Sequence, residues 1–149
     1  MRAILRLQGK SLAIYTLERG TDSDEVRAFL DSARDRGADP AVVGFIRLLR
    51  DHVADNGLPR SNSSLFDSWK LGKKDGRPFS ELKKGDFRIG CYYFPSSRRL
   101  LLLTTFRKRR DREPKQYKRA MGYLDQFLCA EVWEDEDGNR QPVVERADR

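Results

Sequence analysis

The chain has 149 residues, with 30 Lys and Arg, 23 Asp and Glu, and a formal net charge of +7. This length predicts one domain, or one domain with a short extra segment. Charged residues make up 36% of the chain, but the apolar residues come in ordered runs, which argues against disorder throughout. No run approaches the roughly 20 apolar residues that a membrane span needs. The first residues lack the apolar centre of a secretory signal, so we expect a cytoplasmic protein.

Cysteine and histidine are scarce. Cys91 and Cys129 lie in apolar stretches, far apart in the sequence, and His52 is the only histidine. These three residues do not supply the four ligands of a structural zinc site, so we expect no metal site and no cofactor. Free thiols in a reducing cytoplasm are favoured over a disulfide.

Positive charge is concentrated in one segment of the chain. From Lys83 to Arg119 there are 13 basic and three acidic residues, a net charge of +10. Residues 22–56 carry −3 and residues 131–149 carry −4. A concentrated positive field attracts polyanions, and nucleic acid is the commonest polyanion in cytoplasm. A solvated surface with surplus arginine is the alternative explanation of the same pattern.

The first half of the chain predicts a hairpin followed by two helices. Residues 3–7 and 12–17 are typical of short strands. Apolar residues then recur with the helical period from near Asp24 to Gly37, and again from Pro40 to Asn56. Residues 57–78, which are rich in Gly, Pro, Ser, Asn and Lys, predict a loop that three residues would anchor to the core: Phe66, Trp69 and Leu71.

The second half predicts an antiparallel meander and a last helix. Strands are predicted at 79–84, 87–94 and 98–107, and the four leucines 100–103 indicate a central strand covered on both faces. A helix is predicted from Pro114 to about Leu128. We therefore expect an α+β protein with two N-terminal helices on a four-stranded, mostly antiparallel sheet, and a C-terminal helix. We expect one domain, 1–130, followed by an acidic C-terminal tail, 131–149. This tail would form a short strand or be disordered.

Four segments, taken in order, carry a resemblance to a known family. They are EVRAFLDSA (Glu25–Ala33), FSELK (Phe79–Lys83), FRIGCYYF (Phe87–Phe94) and LLLLTTFRKRRDREPKQYKRA (Leu100–Ala120). They resemble the RelE/ParE toxin superfamily and, within it, the HigB-like, phage-derived group. The resemblance runs from about Leu12 to Leu124 and implies a RelE-like fold. One departure is Lys83, where the family often has arginine; the N-terminal strand and the acidic tail lie outside the match.

The resemblance implies a function and partners. Members of the superfamily typically act as toxins of type II toxin–antitoxin systems, and this group cleaves mRNA on the ribosome and so inhibits translation. The implied partners are the ribosome, mRNA and a cognate helix-turn-helix antitoxin, and operator DNA would be contacted only through the antitoxin complex. No membrane partner is expected.

Basic residues, a carboxylate and a tyrosine could cleave RNA through its own 2′-hydroxyl without a metal. We predict Glu81 as a general base, Lys83 as a base or phosphate ligand, and Arg88 as the grip on the scissile phosphate. Arg109, which matches a basic residue of the superfamily, would stabilise the transition state or protonate the leaving group, with help from Lys108. Tyr117, at a spacing found in RelE-type members, would stack on or orient the nucleotide. Contacts with the RNA backbone are predicted for Lys84, Arg107, Arg110 and Arg112.

Other roles for these residues remain open. Glu81 and Arg88 could form an ordinary cross-strand ion pair, and Tyr117 could pack on the sheet as a core residue. For the whole protein, the alternatives are a DNA gyrase inhibitor without ribonuclease activity, and a phage nucleic-acid-binding regulator without catalysis.

Overall fold

A computed structural model describes residues 1–69, 77–109 and 114–143. Within these ranges the strands form one mixed sheet of eight, in the order β3-β4-β5-β6-β2-β1-β7-β8. The strands are β1 (Arg2–Gln8), β2 (Ala13–Glu18), β3 (Phe66–Trp69), β4 (Phe79–Lys84), β5 (Phe87–Phe94), β6 (Arg99–Arg107), β7 (Trp133–Glu134) and β8 (Arg140–Gln141).

The helices begin where capping residues occur in the sequence. Asp24 caps α1 (Glu25–Asp31) by accepting a hydrogen bond from the backbone N–H of Arg27 at 3.0 Å. Asp39 does the same for α2 (Pro40–Leu48), which has proline in its first turn. A 3-10 turn (Ser32–Arg34) follows α1, and a π-helical turn (Leu49–Val53) and the short α3 (Ala54–Asn56) follow α2. The last helix, α4, is Pro114–Cys129.

The predicted meander is confirmed. Strands β4, β5 and β6 pair antiparallel in chain order, with Gly85 at φ +54° in the tight turn between β4 and β5. The other edge of β6 pairs with β2 in parallel, and β2 pairs antiparallel with β1. Helices α1 and α2 lie between β2 and β4 in the sequence, which makes this parallel crossover possible.

The four consecutive leucines of β6 face two different cores, as predicted. Leu101 and Leu103 pack with buried residues of α4, including Leu124 and Phe127. Leu100 and Leu102 pack on the other face with residues of α1, α2 and the π-helical turn, such as Phe45. The sheet therefore has an α4 face and an α1/α2 face, and β6 is covered on both.

The predicted α+β RelE-like arrangement, with two N-terminal helices and a C-terminal helix on a four-stranded sheet, is wrong. The described residues form an eight-stranded sheet, and the fold is sheet-rich. The hairpin strand β1 joins this sheet, and β3 forms inside the segment predicted to be a loop, where Phe66 is buried as expected. Leu71, another expected anchor, lies outside the described residues.

The segment after residue 130 is not a separate tail over its described part. Strand β7 pairs in parallel with β1, and β8 pairs with β7. Trp133 is 1% exposed, and its ring makes edge contacts with Tyr15, Phe94 and Phe127. These two strands therefore belong to the sheet, at the edge farthest from β3 and β4.

The structure also bears on the cysteines and on membrane-spanning helices. Both cysteines are free thiols, and Cys91 is buried as expected whereas Cys129 is exposed. In the ranges that the structure describes, no helix has the length and apolar character that crossing a membrane requires.

Candidate active site

Charged side chains from neighbouring strands meet on the α4 face, at the end of the sheet where β4 finishes and β5 begins. Glu81 and Lys83 alternate with Leu82 on β4, and Leu82 belongs to the core on the opposite face. Lys83 pairs in register with Arg88 of β5, which in turn pairs with Phe106 of β6. Directly opposite residues share a face, so Glu81, Lys83 and Arg88 form one cluster.

The centre of this cluster is a buried ion pair. Glu81 is 5% exposed and Arg88 is 7% exposed. Arg88 Nε lies 3.9 Å from Glu81 Oε1, and within the described chain this buried Nε makes no hydrogen bond. Arg88 Nη1 donates to the carbonyl oxygens of Gly85 at 2.9 Å and Phe87 at 2.8 Å. The guanidinium is therefore held by the turn between β4 and β5 and faces the carboxylate.

The environment of Glu81 changes its acidity. Burial raises the pKa of the Glu81 carboxyl above its ordinary value, and the nearby Asp67 carboxylate raises it further. Three cations oppose this rise in the pKa: Arg88 most strongly, then Lys83 and Lys108. A carboxylate with a raised pKa is a stronger general base than one in water, which suits the role predicted for Glu81.

The two lysines of the cluster are closer to solvent than Arg88 is. Lys83 Nζ donates to the carbonyl oxygen of Ser63 at 3.0 Å and lies 4.0 Å from Asp67 Oδ2. Lys108 directly follows β6 and is half-buried, and its backbone N–H donates to the Asp86 carbonyl at 2.7 Å. That bond fixes the chain after β6 against the turn between β4 and β5, so the Lys108 charge stays near Glu81.

Tyr117 lies beside the cluster as a packed residue. It is 8% exposed, and its ring stands edge-on to Phe79, two residues before Glu81, with the centroids 5.7 Å apart. Its hydroxyl donates to the carbonyl oxygen of Arg77 at 3.1 Å. Arg77 also forms an ion pair with Asp125 of α4. Tyr117 thus supports the wall of the site in this conformation.

Two of the remaining predicted residues, Lys84 and Arg107, lie on the opposite face of the sheet. Arg109 is exposed, two positions after the end of β6. Lys84 lies on the α1/α2 face, where its side chain runs along Gly44 of α2. Arg107 is exposed on that same face, with its guanidinium 4.8 Å from the centroid of Phe87. Arg110 and Arg112 lie outside the described residues.

Two residues of the site were not singled out from the sequence. Asp67 pairs with Glu81 across β3 and β4, and the only sequence signal for β3 is an aromatic residue at each end of FDSW. Gly90 faces Glu81 from β5. A Cβ on Gly90 would lie 2.5 Å from Thr104 Oγ1 and 2.9 Å from the Phe79 ring, so only glycine fits between these side chains.

Comparison of the chain with models of protein families, with curated proteins and with solved structures gives no match. Function is therefore inferred from the cluster itself and from the segments that resemble the toxin superfamily.

Proposed function

We propose that the protein is a toxin of a type II toxin–antitoxin system, an endoribonuclease that cleaves mRNA on the ribosome and so inhibits translation. The observation that carries this proposal is the meeting of Glu81 with Lys83, Arg88 and Lys108 at one end of the sheet. A carboxylate of raised pKa among three cations provides both a base and a positive environment for a phosphate. The resemblance to the RelE/ParE superfamily falls on the same strands.

These groups suit a transesterification within the RNA. Glu81 takes the proton of the 2′-hydroxyl, and the 2′-oxygen forms a bond to phosphorus. Lys83 and Lys108 stabilise the negative charge that develops on the phosphorane oxygens. The bond from phosphorus to the 5′-oxygen breaks, and Arg109 or Lys108 supplies a proton to that oxygen. The products are a 2′,3′-cyclic phosphate and a 5′-hydroxyl.

The side chain of Arg88 must change its hydrogen-bond partners to bind a phosphate. In the free protein its Nη1 donates to two backbone carbonyls of the β4–β5 turn. In the proposed complex, a phosphate oxygen replaces these carbonyls as the acceptor, and the charge-assisted bond is the stronger one. Catalytic hydrogen bonds commonly tighten only when substrate is bound. In the free protein, Arg88 holds Glu81 in place.

The proposed partners follow from the resemblance. They are mRNA and the ribosome as substrate and platform, and a helix-turn-helix antitoxin that neutralises the toxin and alone connects it to operator DNA. A cytoplasmic location is part of the proposal, because these partners are found there. The concentration of basic residues from Lys83 to Arg119 supports an RNA partner.

Induced expression in bacteria tests the proposal. Wild type, Glu81→Gln and the double variant Arg88→Ala/Arg109→Ala are compared for growth arrest and for cuts in mRNA. The control is Arg34→Ala/Arg36→Ala, which removes the same charge from two exposed residues after α1. Circular dichroism of each purified variant establishes that it is folded. We expect arrest and mRNA cuts from wild type and from the control, and neither from the other two variants.

Two results would contradict the proposal in different ways. Cuts that persist in the folded double variant and in Glu81→Gln would place the reaction elsewhere. Growth arrest with intact mRNA would exclude ribonuclease activity as its cause.

A second candidate is a nucleic-acid-binding protein without catalysis, and the deep burial of Glu81 and Arg88 favours it. A buried pair whose members mainly contact each other and the backbone is typical of a structural role. Arrest with intact mRNA and damaged DNA would indicate a gyrase inhibitor. RNA or DNA binding without arrest or cleavage would indicate a regulator.

A further inference from the structure

A second positively charged site lies at the opposite end of the sheet. A cavity of about 370 Å³ opens there, between the turn that joins β1 to β2 and the turn that joins β5 to β6. Its lining includes Lys10, Arg98, Arg99 and Gln141. At about 3.3 Å per residue, the seven residues along β6 from Arg99 to Phe106, which pairs with Arg88, separate this cavity from Arg88 by roughly 23 Å.

The walls of the cavity are fixed by backbone hydrogen bonds. The N–H groups of Ser11 and Leu12 both donate to the carbonyl oxygen of Ala54, at 2.9 and 3.1 Å. The N–H of Ala13 donates to the carbonyl oxygen of Arg98 at 2.9 Å, which joins the two turns. Gly9 is required for this arrangement, because a Cβ there would lie 2.0 Å from the Ala54 oxygen. The cavity is therefore preformed.

The three cations of the cavity differ in how they are held. Arg99 donates to the carbonyl oxygen of Pro142 at 2.7 Å, and its guanidinium lies 4.8 Å from the Trp133 ring centroid. Lys10 and Arg98 are exposed, and neither side chain has an ion-pair partner in the part of the chain that the structure describes. One cation is thus oriented by the core and two are available to a ligand.

The backbone at Arg98 is unusual. Arg98 has φ +54°, the left-handed region that residues other than glycine and asparagine rarely adopt. Glycine would suit this turn position better, and residues in sparsely populated conformations cluster at binding sites. The turn therefore holds an arginine in a backbone conformation that is unfavourable for it.

The charge around the cavity points to an anion. No Asp or Glu is among the described residues that line it. Two carboxylates lie near it: Asp55 accepts a hydrogen bond from the backbone N–H of Lys10 at 3.0 Å, and the charge of Asp135 acts on the Tyr15 hydroxyl. Tyr15 is 2% exposed and its hydroxyl is bonded to Gln141, so its ring is not available for stacking on a base. The cavity can recognise charge but offers no platform for a base.

We propose that this cavity binds a backbone phosphate of single-stranded RNA, as a second anchor remote from the site of cleavage. The choice of RNA as the polyanion rests on the proposed function. A volume of about 370 Å³ lies within the range of pockets for small ligands and admits a phosphate with its ribose. Recognition through Lys10, Arg98 and Arg99 is independent of sequence, because phosphates carry no base identity.

Binding of RNA by Lys10→Gln/Arg98→Gln tests the proposal. The matched control is Arg34→Gln/Arg36→Gln, which removes the same two charges from an exposed turn elsewhere. Two oligonucleotides are compared, of about 4 and about 16 nucleotides. At roughly 3.4 Å per stacked nucleotide the short one spans only about half of the distance between the sites.

We expect the double variant to bind the long RNA at least tenfold more weakly than the control variant does, and with a shallower salt dependence. Each cation removed from a phosphate should reduce the slope of log K against log salt by about 0.7. The short RNA cannot reach both sites at once, so its affinity should differ less between the two variants than the affinity of the long RNA does. Addition of a nucleoside monophosphate should shift the NMR signals of Ser11 and Arg99 in wild type but not in the double variant.

Three results would overturn the second site. They are equal loss of affinity in both double variants, an unchanged salt slope, and competition by polyglutamate as strong as that by RNA of equal charge. Failure of the proposed function has a different signature. If the protein does not cleave RNA but Lys10→Gln/Arg98→Gln still weakens binding selectively, the anchor stands and the ribonuclease does not.

Discussion

Glu25 and Arg119, from helices on opposite faces of the sheet, form an ion pair of 2.6 Å beside Thr105 of β6. Glu25 Oε2 accepts a hydrogen bond from the Thr105 N–H at 2.7 Å, and Arg119 Nη2 donates to the Thr105 carbonyl oxygen at 2.9 Å. Pairing between β2 and β6 extends only to Leu102. The two side chains therefore satisfy the backbone of β6 where its neighbouring strand has ended, and they hold the end of β6 that leads to Lys108.

Replacement of Arg119 with methionine should destabilise the protein. The change removes the ion pair and the bond to the Thr105 carbonyl while keeping most of the apolar stem. Hydrogen bonds to charged groups contribute about 1.5–3 kcal/mol each, but Arg119 is 32% exposed and solvent screens it. We expect a loss of about 1–2 kcal/mol in the free energy of unfolding, measured by urea denaturation.

The control for this change is Arg27→Met. Arg27 lies 3.5 Å from Asp31 in an exposed pair of α1, and such pairs contribute about 0.3–0.5 kcal/mol. A similar loss in both variants would mean that Glu25 and Arg119 do not act on β6 beyond an ordinary surface ion pair.

The pH dependence of stability should report the burial of Glu81. Its pKa is raised in the folded protein, chiefly by burial, so the folded state binds this proton more tightly than the unfolded state does. This contribution to stability is complete below the ordinary glutamate pKa of about 4.3, and it is lost as the pH rises through the folded pKa. The difference in unfolding free energy between wild type and Glu81→Gln should therefore fall as the pH rises above about 4.

Urea denaturation at a series of pH values measures this difference. The exposed Glu136 provides the matched control, Glu136→Gln, for which we expect no such trend. A difference for Glu81→Gln that rose with pH would show that attraction to Arg88, Lys83 and Lys108 outweighs burial in setting the pKa of Glu81.

The elements with a clear periodicity of apolar residues could be predicted from the sequence, and the short edge strands could not. Helix starts near Asp24 and at Pro40 could be predicted, and leucines 100–103 marked the central strand, because capping and burial leave local signals. Strands β7 and β8 have two residues each. They are held by the packing of Trp133, whose ring contacts Tyr15, 118 positions earlier in the sequence. A pairing of that kind has no local signature.

In the candidate site, too, some features could be predicted from the sequence and others could not. Glu81, Lys83 and Arg88 could be placed on one face from alternation within β4 and from the short turn to β5. The burial of Arg88 could not be predicted, since it depends on where the turn carbonyls of Gly85 and Phe87 lie. Asp67 could not be predicted either, because its strand is only four residues long and lies in a polar segment.

Two glycine substitutions should have opposite effects. Gly90→Ala places a Cβ against Thr104 and the Phe79 ring, and overpacking of this kind typically costs about 1–3 kcal/mol. Gly122→Ala in α4 meets nothing within 4 Å and should stabilise the protein by roughly 0.5–1 kcal/mol through helix propensity. Thermal unfolding of both variants measures the contrast. A neutral effect of Gly90→Ala would show that β5 can move away from Phe79 at little cost.

The acidic C-terminal segment should be essential to stability because Trp133 belongs to the core. Replacing a buried tryptophan with alanine costs about 3–5 kcal/mol, and Trp133 is 1% exposed among three aromatic rings. We expect Trp133→Ala to lower the free energy of unfolding by about 3–5 kcal/mol, measured by urea denaturation. Deletion of residues 131–149 should lower it by at least as much. Val143, which is 56% exposed, is the control, and Val143→Ala should change stability by about 0.5 kcal/mol or less. A deletion variant as stable as wild type would contradict the pairing of β7 with β1 and would make the segment a passive extension.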